Sequence, residues 1–176
     1  MSTSLIIYST TDGHTKTICY RIKSYFKNED GVKIISLEDS SKYDLSNFDK
    51  IIIGASIRYG KHNSKVLSFV KKNINLIKKQ KTVFFSVNVV ARKKGKDTPD
   101  TNPYVQKFIK KTKWRPNKIG VFAGKVDYPK YNFFNKNIIR FIMYLTKGPT
   151  DISQTYEFTN WESVRNFAQE INENFN

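Results

Sequence analysis

The stretch LIIYSTTDGHTKT, residues 5–17, joins a short apolar run to a loop of hydroxyl-bearing residues. Leu5, Ile6 and Ile7 are typical of a strand, and apolar residues take up helical spacing after Thr15. A strand that leads through a polar loop into a helix predicts the first βα unit of a parallel sheet. The loop then lies at the carboxyl edge of the sheet, where ligands bind in such folds.

The rest of the chain repeats this alternation. Apolar runs predict strands over residues 5–9, 32–37, 49–53, 82–87 and 119–123, and helical spacing predicts helices over 15–26, 64–77, 103–111 and 161–171. Thr159 or Asn160 is the expected cap of the last helix. Because a helix separates each strand from the next, the strands pair in parallel through right-handed crossovers. This pattern predicts an α/β fold with a doubly wound five-stranded sheet. No linker or repeat is evident, so we expect a single domain over residues 1–176.

Composition narrows the possible functions. The net charge of +16 is concentrated in residues 92–147, which hold 15 Lys and Arg against three Asp and Glu. One Cys and two His give no spacing typical of a zinc site, so no metal is expected, and Cys19 is expected to be buried. The N-terminus lacks a signal-peptide pattern, and no apolar run reaches the roughly 20 residues of a transmembrane helix. We expect a cytoplasmic protein that can bind peripherally to the inner face of the cell membrane.

The opening loop suggests a phosphate site. Ser9, Thr10, Thr11 and Thr15 supply hydroxyls, and Gly13 allows a close approach of the backbone near free helix N–H groups. The chain has neither the P-loop motif nor the dinucleotide-binding glycine pattern, which disfavours a nucleoside triphosphate or a dinucleotide. The alternative is an ordinary polar turn in which Thr15 caps the helix.

A long connection, residues 124–158, follows the fifth strand, and within it residues 128–148 form an aromatic and basic amphipathic segment. Its apolar residues at helical spacing are typical of a helix at an anionic membrane interface, and a helix docked on the core is the alternative. The residues expected to contact membrane or substrate are Tyr131, Phe133, Phe134, Ile138, Arg140, Phe141, Ile142 and Leu145.

Several motifs together resemble a known family. The loop STTDGHT (9–15) resembles the FMN-phosphate loop of flavodoxins. IGASIRYGKHNS (53–64), FSVNVVARKK (85–94), TPDTNPY (98–104), WRP (114–116) and TNWESVRNFAQEI (159–171) resemble the flavodoxin-like, menaquinone-dependent protoporphyrinogen IX dehydrogenases of haem biosynthesis. The likeness covers nearly the whole chain. One departure is Lys147-Gly148, where the family pattern has Gly-Gly.

This resemblance implies a flavodoxin-like sheet of order 2-1-3-4-5, with a long insertion at about residues 124–150 that follows or interrupts strand five and helps to form the substrate and quinone site. It implies non-covalent FMN, protoporphyrinogen IX as substrate, and a membrane quinone, menaquinone or ubiquinone, as electron acceptor. The implied phosphate ligands are Ser9, Thr10, Thr11, Asp12, Gly13, His14 and Thr15. One implied flavin wall is Ala55, Ser56, Ile57, Arg58, Tyr59 and Gly60, and the other is Ser86, Val87, Asn88, Val89, Val90 and Ala91.

Some side chains near these walls are candidates for catalysis. Arg58 and Arg92 follow strand ends and are placed to meet substrate carboxylates, with surface roles as the alternative. Tyr59 could pack on the flavin or be a partly exposed aromatic. His14 and His62 could relay protons, with helix-entry and surface roles as the alternative.

Three functions compete at this point. The first is a flavoenzyme that oxidises protoporphyrinogen at the membrane. The second is a flavodoxin-type electron carrier, against which the +16 charge argues, because such carriers usually present an acidic face. The third is a nucleic-acid-binding module; we expect no nucleic-acid partner, because no such motif is present and the hydroxyl-rich loop would be unexplained.

Overall fold

The computed structural model describes residues 3–174, which form a parallel sheet covered by helices on both faces. The strands are β1 (Ser4–Ser9), β2 (Val32–Ser36), β3 (Lys50–Arg58), β4 (Lys61–His62), β5 (Lys81–Val87), β6 (Lys118–Phe122), β7 (Lys125–Asp127) and β8 (Thr155–Glu157). The helices are α1 (His14–Lys23), α2 (Ser64–Lys72), α3 (Ile74–Ile77), α4 (Pro103–Thr112), α5 (Phe133–Leu145) and α6 (Trp161–Asn174).

The sheet has the predicted order. Its parallel strands follow the path β2-β1-β3-β5-β6, which is the order 2-1-3-4-5 of the five predicted strands. The short β4 adds one antiparallel pairing, because β3 continues past the sheet edge to Arg58 and turns back. The doubly wound α/β prediction is confirmed.

Alternating side chains on the central strands divide the core into two layers. Ile51 and Ile53 of β3 face α2, α3 and α4, while Ile52 faces α1 and α6. Burial of these apolar side chains on both faces explains the continuous apolar run of the strand. Cys19 of α1 is fully buried in the second layer, as expected, and burial strongly raises the pKa of its thiol.

Two predicted helices differ from those observed. The helix expected over 64–77 is interrupted at Asn73, where φ and ψ are −101° and 11° and the side-chain amide donates to the carbonyl of Phe69. Such local bonding competes with the helix. The helix expected over 15–26 begins at His14 and ends at Lys23. The cap of α6 is Asn160, whose Oδ1 accepts the N–H of Ser163 at 3.1 Å.

The long connection after β6 is an ordered insertion. β7 leaves the sheet and pairs with β8 in an antiparallel ladder, and α5 lies between them. Ile139 and Met143 of α5 are buried in a small cluster with Val126, Tyr128 and Tyr131. The docked-helix alternative is therefore observed. No helix within residues 3–174 combines the length and the apolar character needed to span a bilayer.

The end of α5 accommodates the departure from the family pattern. Lys147 has a φ of 55°, in the left-handed region that favours glycine, and the N–H groups of Lys147 and Gly148 bond to the carbonyls of Tyr144 and Met143. These two bonds form a Schellman motif. A Cβ at Gly148 would lie 2.4 Å from the Met143 methyl group and 2.7 Å from Arg92 Nη2, so any larger residue would displace the ends of these two side chains. The backbone turn is kept although Lys147 replaces a glycine.

Candidate functional site

Three adjoining cavities lie along the carboxyl edge of the sheet. We call the first the loop pocket; it is lined by Thr10, Thr11, Asp12, His14, Thr15, Ser56, Ile57, Val87, Asn88, Val89, Gly124 and Lys125. The second, the central cleft, is lined by Asp12, Ile57, Arg58, Tyr59, Gly60, Val89, Val90, Arg92, Tyr104, Lys125, Val126, Tyr131, Ile139, Ile142, Met143 and Thr146. The two share Asp12, Ile57, Val89 and Lys125, so they form one continuous groove.

The third cavity, the lysine pocket, continues the groove beyond Gly60 and Tyr104. Its lining is Gly60, Lys61, His62, Ser64, Leu67, Tyr104, Lys107, Phe108 and Lys111. The groove therefore runs from the first βα loop, past the ends of β3 and β5, to the space between α2 and α4.

The opening loop presents donors to the loop pocket. Gly13 caps α1 with a φ of 84°, and its N–H bonds to the Thr10 hydroxyl at 3.0 Å. Thr15 does not cap the helix, contrary to the ordinary-turn alternative, because it lies inside the first turn. Its hydroxyl is buried and makes no hydrogen bond within the described residues. An unpaired buried hydroxyl at a helix N-terminus, with no acidic residue in the first turn, fits an anionic ligand such as a phosphate.

A bonded triad links the loop to the wall of the central cleft. Arg58 Nη1 lies 2.8 Å from Asp12 Oδ2, and the Tyr131 hydroxyl donates to the same oxygen at 3.2 Å. The Arg58 guanidinium also lies 4.9 Å from the centre of the Tyr131 ring. Burial raises the pKa of Tyr131, so this phenol stays protonated as a donor. Asp12 therefore accepts bonds from two side chains outside the opening loop.

Tyr59 and Gly60 form the tight turn between β3 and β4. Both have positive φ, 49° and 74°, and Arg58 pairs with Lys61 across a two-residue loop. This is the pattern of a type I′ hairpin turn. Tyr59 is 45% exposed, and its hydroxyl bonds to Asn135 Oδ1 of α5.

Arg92 lies in the loop after β5 and bonds to two segments of the protein. Its guanidinium donates to the carbonyl of Val89 at 2.9 Å and to the carbonyl and hydroxyl of Thr146 at 2.9 and 3.0 Å. Arg92 therefore ties the loop after β5 to the end of α5, while one face of the group still lines the central cleft.

The two histidines are both bonded. The Thr159 hydroxyl donates to the carbonyl of Ala123, so it accepts from His14 Nε2 at 2.6 Å. Burial, partly offset by Glu157, lowers the pKa of His14. His62 is buried between Phe84 and Phe108, not on the surface, and its Nε2 lies 3.0 Å from Ser86 Oγ. Burial lowers the pKa of His62 to about 4, so the ring is neutral at physiological pH.

The remaining predicted site residues divide by position. Ser9, Ala55, Ser86 and Ala91 line neither the loop pocket nor the central cleft; Ala55, Ser86 and Ala91 are buried, and the Ser86 hydroxyl accepts a bond from Asn88 Nδ2 at 3.2 Å. In the insertion, Tyr131 and Ile142 line the cleft and Ile138 is half-buried. Phe133, Phe134, Arg140, Phe141 and Leu145 are exposed.

Sequence reasoning missed other lining residues. Lys125 lines both parts of the groove, and Ile139 and Met143 form the α5 wall. Tyr104 lies in the quoted motif TPDTNPY, and Lys125 comes directly after the fifth strand and Gly124, so both had a positional signal. Among residues 3–174, no cluster of three His, Cys, Asp or Glu side chains is placed to hold a metal ion.

Comparisons with known proteins agree on the family. The model of the flavodoxin domain family matches residues 5–153. A Leishmania major protein named protoporphyrinogen IX dehydrogenase [quinone] is 42% identical over 95% of this chain and 73% of its own length. An Escherichia coli K12 protein of the same name is 39% identical over 96% of this chain and 93% of its own length.

Solved structures support the fold alone. A flavodoxin from the domain Archaea aligns with a TM-score of 0.55 over 98% of both chains at 13% identity. A Fusobacterium nucleatum flavodoxin bound to flavin mononucleotide aligns with a TM-score of 0.51 over all of both chains, also at 13% identity. The resemblance found in the sequence motifs is thereby confirmed. The chain belongs to the flavodoxin domain family and, within it, to the group whose curated members are named protoporphyrinogen IX dehydrogenase [quinone].

Proposed function

We propose that this protein binds FMN non-covalently and oxidises protoporphyrinogen IX to protoporphyrin IX in haem biosynthesis, with menaquinone or ubiquinone as the electron acceptor. The observation that carries this proposal is the continuity of the loop pocket with the central cleft. The groove offers hydroxyl and N–H donors at one end and a largely apolar cleft under α5 at the other. The names of the relatives supply the substrate and the class of acceptor.

Residues of this chain fit the parts of FMN. The unpaired Thr15 hydroxyl, Thr11 and the N-terminus of α1 would hold the phosphate. Ile57, Tyr59, Val89 and the backbone of both strand-end loops would contact the ring system. The bound flavin supplies the capacity to accept electrons from the substrate.

The protein's own contribution is to position the substrate and exclude water. Val126, Ile139, Ile142 and Met143 give the central cleft an apolar wall, which suits a macrocycle. Arg58 and Arg92 also line this cleft, and both are already bonded to protein groups. They therefore fix the cleft's shape as well as its positive charge.

We also propose that α5 brings this cleft to an anionic membrane surface, on the cytoplasmic side. Phe133, Phe134 and Phe141 are 86%, 70% and 61% exposed, and Arg140 is exposed on the same helix. An exposed aromatic face with basic neighbours is typical of interfacial helices. A quinone dissolved in lipid requires such contact. Replacing Phe134 and Phe141 with Ser should reduce sedimentation with anionic vesicles and leave FMN binding unchanged; unchanged sedimentation would reject the membrane role.

The deciding experiment is anaerobic oxidation of protoporphyrinogen IX by the purified protein, followed by porphyrin fluorescence. Menaquinone and ubiquinone analogues serve as acceptors, with and without FMN. We expect fluorescence to grow only when FMN and a quinone are both present. A flavin-loaded protein that produces no porphyrin would instead support an electron carrier.

The variant that tests the proposed FMN-phosphate site is Thr15→Val. It removes a buried hydroxyl that has no protein partner, so the apoprotein should be as stable as the parent or more so. FMN affinity should fall several-fold or more, because a phosphate oxygen loses its donor. Unchanged affinity in a fluorescence titration would remove Thr15 from the site.

A further inference from the structure

The lysine pocket has a concentrated positive charge that the proposed cofactor does not use. Lys107 and Lys111 project from one face of α4, four residues apart, and Lys61 faces them from the β4 hairpin. Like charges at this spacing destabilise a helix slightly. No Asp or Glu lines the pocket, and none of the three amines has an ion-pair partner within residues 3–174.

The same pocket has an apolar floor. Phe108 is 2% exposed and Leu67 is half-buried, and both line the pocket together with the three lysines. Such a combination suits a ligand with short aliphatic arms that end in carboxylates: the methylene groups contact the floor and the oxygens meet the amines.

The position of the pocket makes it an extension of the substrate cleft. Gly60 and Tyr104 line both cavities, so the two adjoin, and a Cβ at Gly60 would meet no atom within 4 Å. The other cations of the groove all have partners. Arg58 bonds to Asp12, and Arg92 bonds to Thr146 and Val89. The Lys125 amine, which lines both the loop pocket and the central cleft, lies 3.9 Å from Asp127 Oδ2. The three amines of the lysine pocket are therefore the cations left for an incoming carboxylate.

We propose that Lys61, Lys107 and Lys111 form the subsite that binds the carboxylate side chains of the tetrapyrrole substrate, and so orient the macrocycle in the central cleft. This inference rests on the proposed function. It makes the three lysines specificity-determining residues, because a macrocycle without free carboxylates would lose these contacts.

The test compares two ligands on the FMN-loaded protein. Protoporphyrin IX carries free carboxylates, and its dimethyl ester does not, so fluorescence titration with both isolates the carboxylate contribution. The variant Lys107→Gln with Lys111→Gln should bind the free acid about tenfold more weakly, as expected for lost charge-assisted hydrogen bonds, and the ester as well as the parent does. The control, Lys71→Gln with Lys110→Gln, has the same net charge and alters exposed lysines outside the pocket.

Each other outcome is decisive. Equal affinity of the double variant and its control for the free acid would overturn the subsite, as would equal binding of acid and ester by the parent. A variant that lost binding to anionic vesicles but kept porphyrin affinity would assign the amines to lipid headgroups instead. If the parent binds FMN but neither porphyrin, the proposed function itself fails, which is distinguishable from a failure of the subsite alone.

Discussion

At the scale of single residues, Tyr59 lies in a backbone conformation that costs stability. A side chain with φ of 49° pays about 1 kcal/mol relative to glycine or asparagine, which tolerate this region. Strained residues of this kind concentrate at functional sites. Tyr59 lines the central cleft and supplies an aromatic ring there. An asparagine would tolerate the backbone conformation but would supply no ring.

We therefore predict that Tyr59→Asn relieves backbone strain but weakens FMN binding. Tyr59→Asn should be roughly 1 kcal/mol more stable than Tyr59→Phe, because both lose the bond to Asn135 but only Asn relieves the backbone. FMN affinity should be weaker in the Asn variant, which lacks the ring. Urea unfolding of the apoprotein and flavin titration measure the two effects. If Tyr59→Phe is at least as stable as Tyr59→Asn, the backbone at residue 59 is not strained.

His62 predicts how stability depends on pH. Its pKa is about 4 in the folded protein and about 6.5 when unfolded, so protonation favours the unfolded state. The stabilisation is complete above pH 6.5 and is lost as the pH falls toward 4. Between pH 7.5 and 4.5, we expect this residue to account for a loss on the order of 2–3 kcal/mol in the free energy of unfolding.

The control for this prediction is His62→Gln, which cannot gain a proton in that range. Urea unfolding of the apoprotein at the two pH values should show a smaller loss for this variant than for the parent. If the free energy of unfolding falls equally with pH in the parent and the variant, groups other than His62 cause the loss.

At the scale of secondary structure, α5 uses a narrow face for docking. Ile139 and Met143 are buried, while Phe141, in the same helix, is 61% exposed. Two further contacts hold the helix: Tyr59 bonds to Asn135 near its start, and Arg92 bonds to Thr146 at its end. Both contacts come from the loops that would surround the flavin ring. A displacement of α5 would therefore break hydrogen bonds to those loops.

Truncations on the two faces of α5 should differ in effect. Ile139→Ala should lower the free energy of unfolding by roughly 2 kcal/mol or more and increase amide hydrogen exchange in residues 133–145. Phe141→Ala should change stability by no more than about 0.5 kcal/mol. Equal losses would mean that both faces are packed.

Local patterns predicted much of this structure. Ile51 to Ile53 identified a strand buried on both faces, and the loop after Leu5, Ile6 and Ile7 marked the carboxyl edge of the sheet. The break at Asn73 was missed because the apolar spacing continues across it, and the side-chain bond to Phe69 decides the outcome. The contact of Asp12 with Tyr131 joins residues 119 apart in sequence, and no local pattern encodes it.

At the scale of the whole molecule, charge and apolar exposure coincide in the second half of the chain. Residues 92–147 contain most of the net positive charge, and they also contain α5 with its exposed phenylalanines. On the proposed membrane role, anionic lipid would attract the basic residues and accommodate the exposed phenylalanines. The two contributions can be separated because only the electrostatic one is screened by salt.

We predict that binding to vesicles containing anionic lipid weakens by about tenfold or more when NaCl is raised from about 50 to about 500 mM. Vesicles of zwitterionic lipid should bind more weakly at low salt and show little salt dependence. Sedimentation of the protein with each vesicle type measures both effects. Binding that is insensitive to salt on anionic vesicles would show that charge plays no part.

The ladder between β7 and β8 has a consequence for protein engineering. Asp127 pairs with Thr155, and the Thr155 hydroxyl donates to the Asp127 carboxylate at 2.8 Å, so the insertion leaves and re-enters the fold at neighbouring positions. Residues 128–154 are thus attached as the loop of a hairpin is, and a two-residue turn such as Asn-Gly is long enough to replace them. Such a replacement would keep the two strand ends joined, but it would also break the bonds of α5 to Tyr59 and Arg92 and uncover Val126. The shortened protein would therefore keep the parallel sheet and lose one wall of the central cleft.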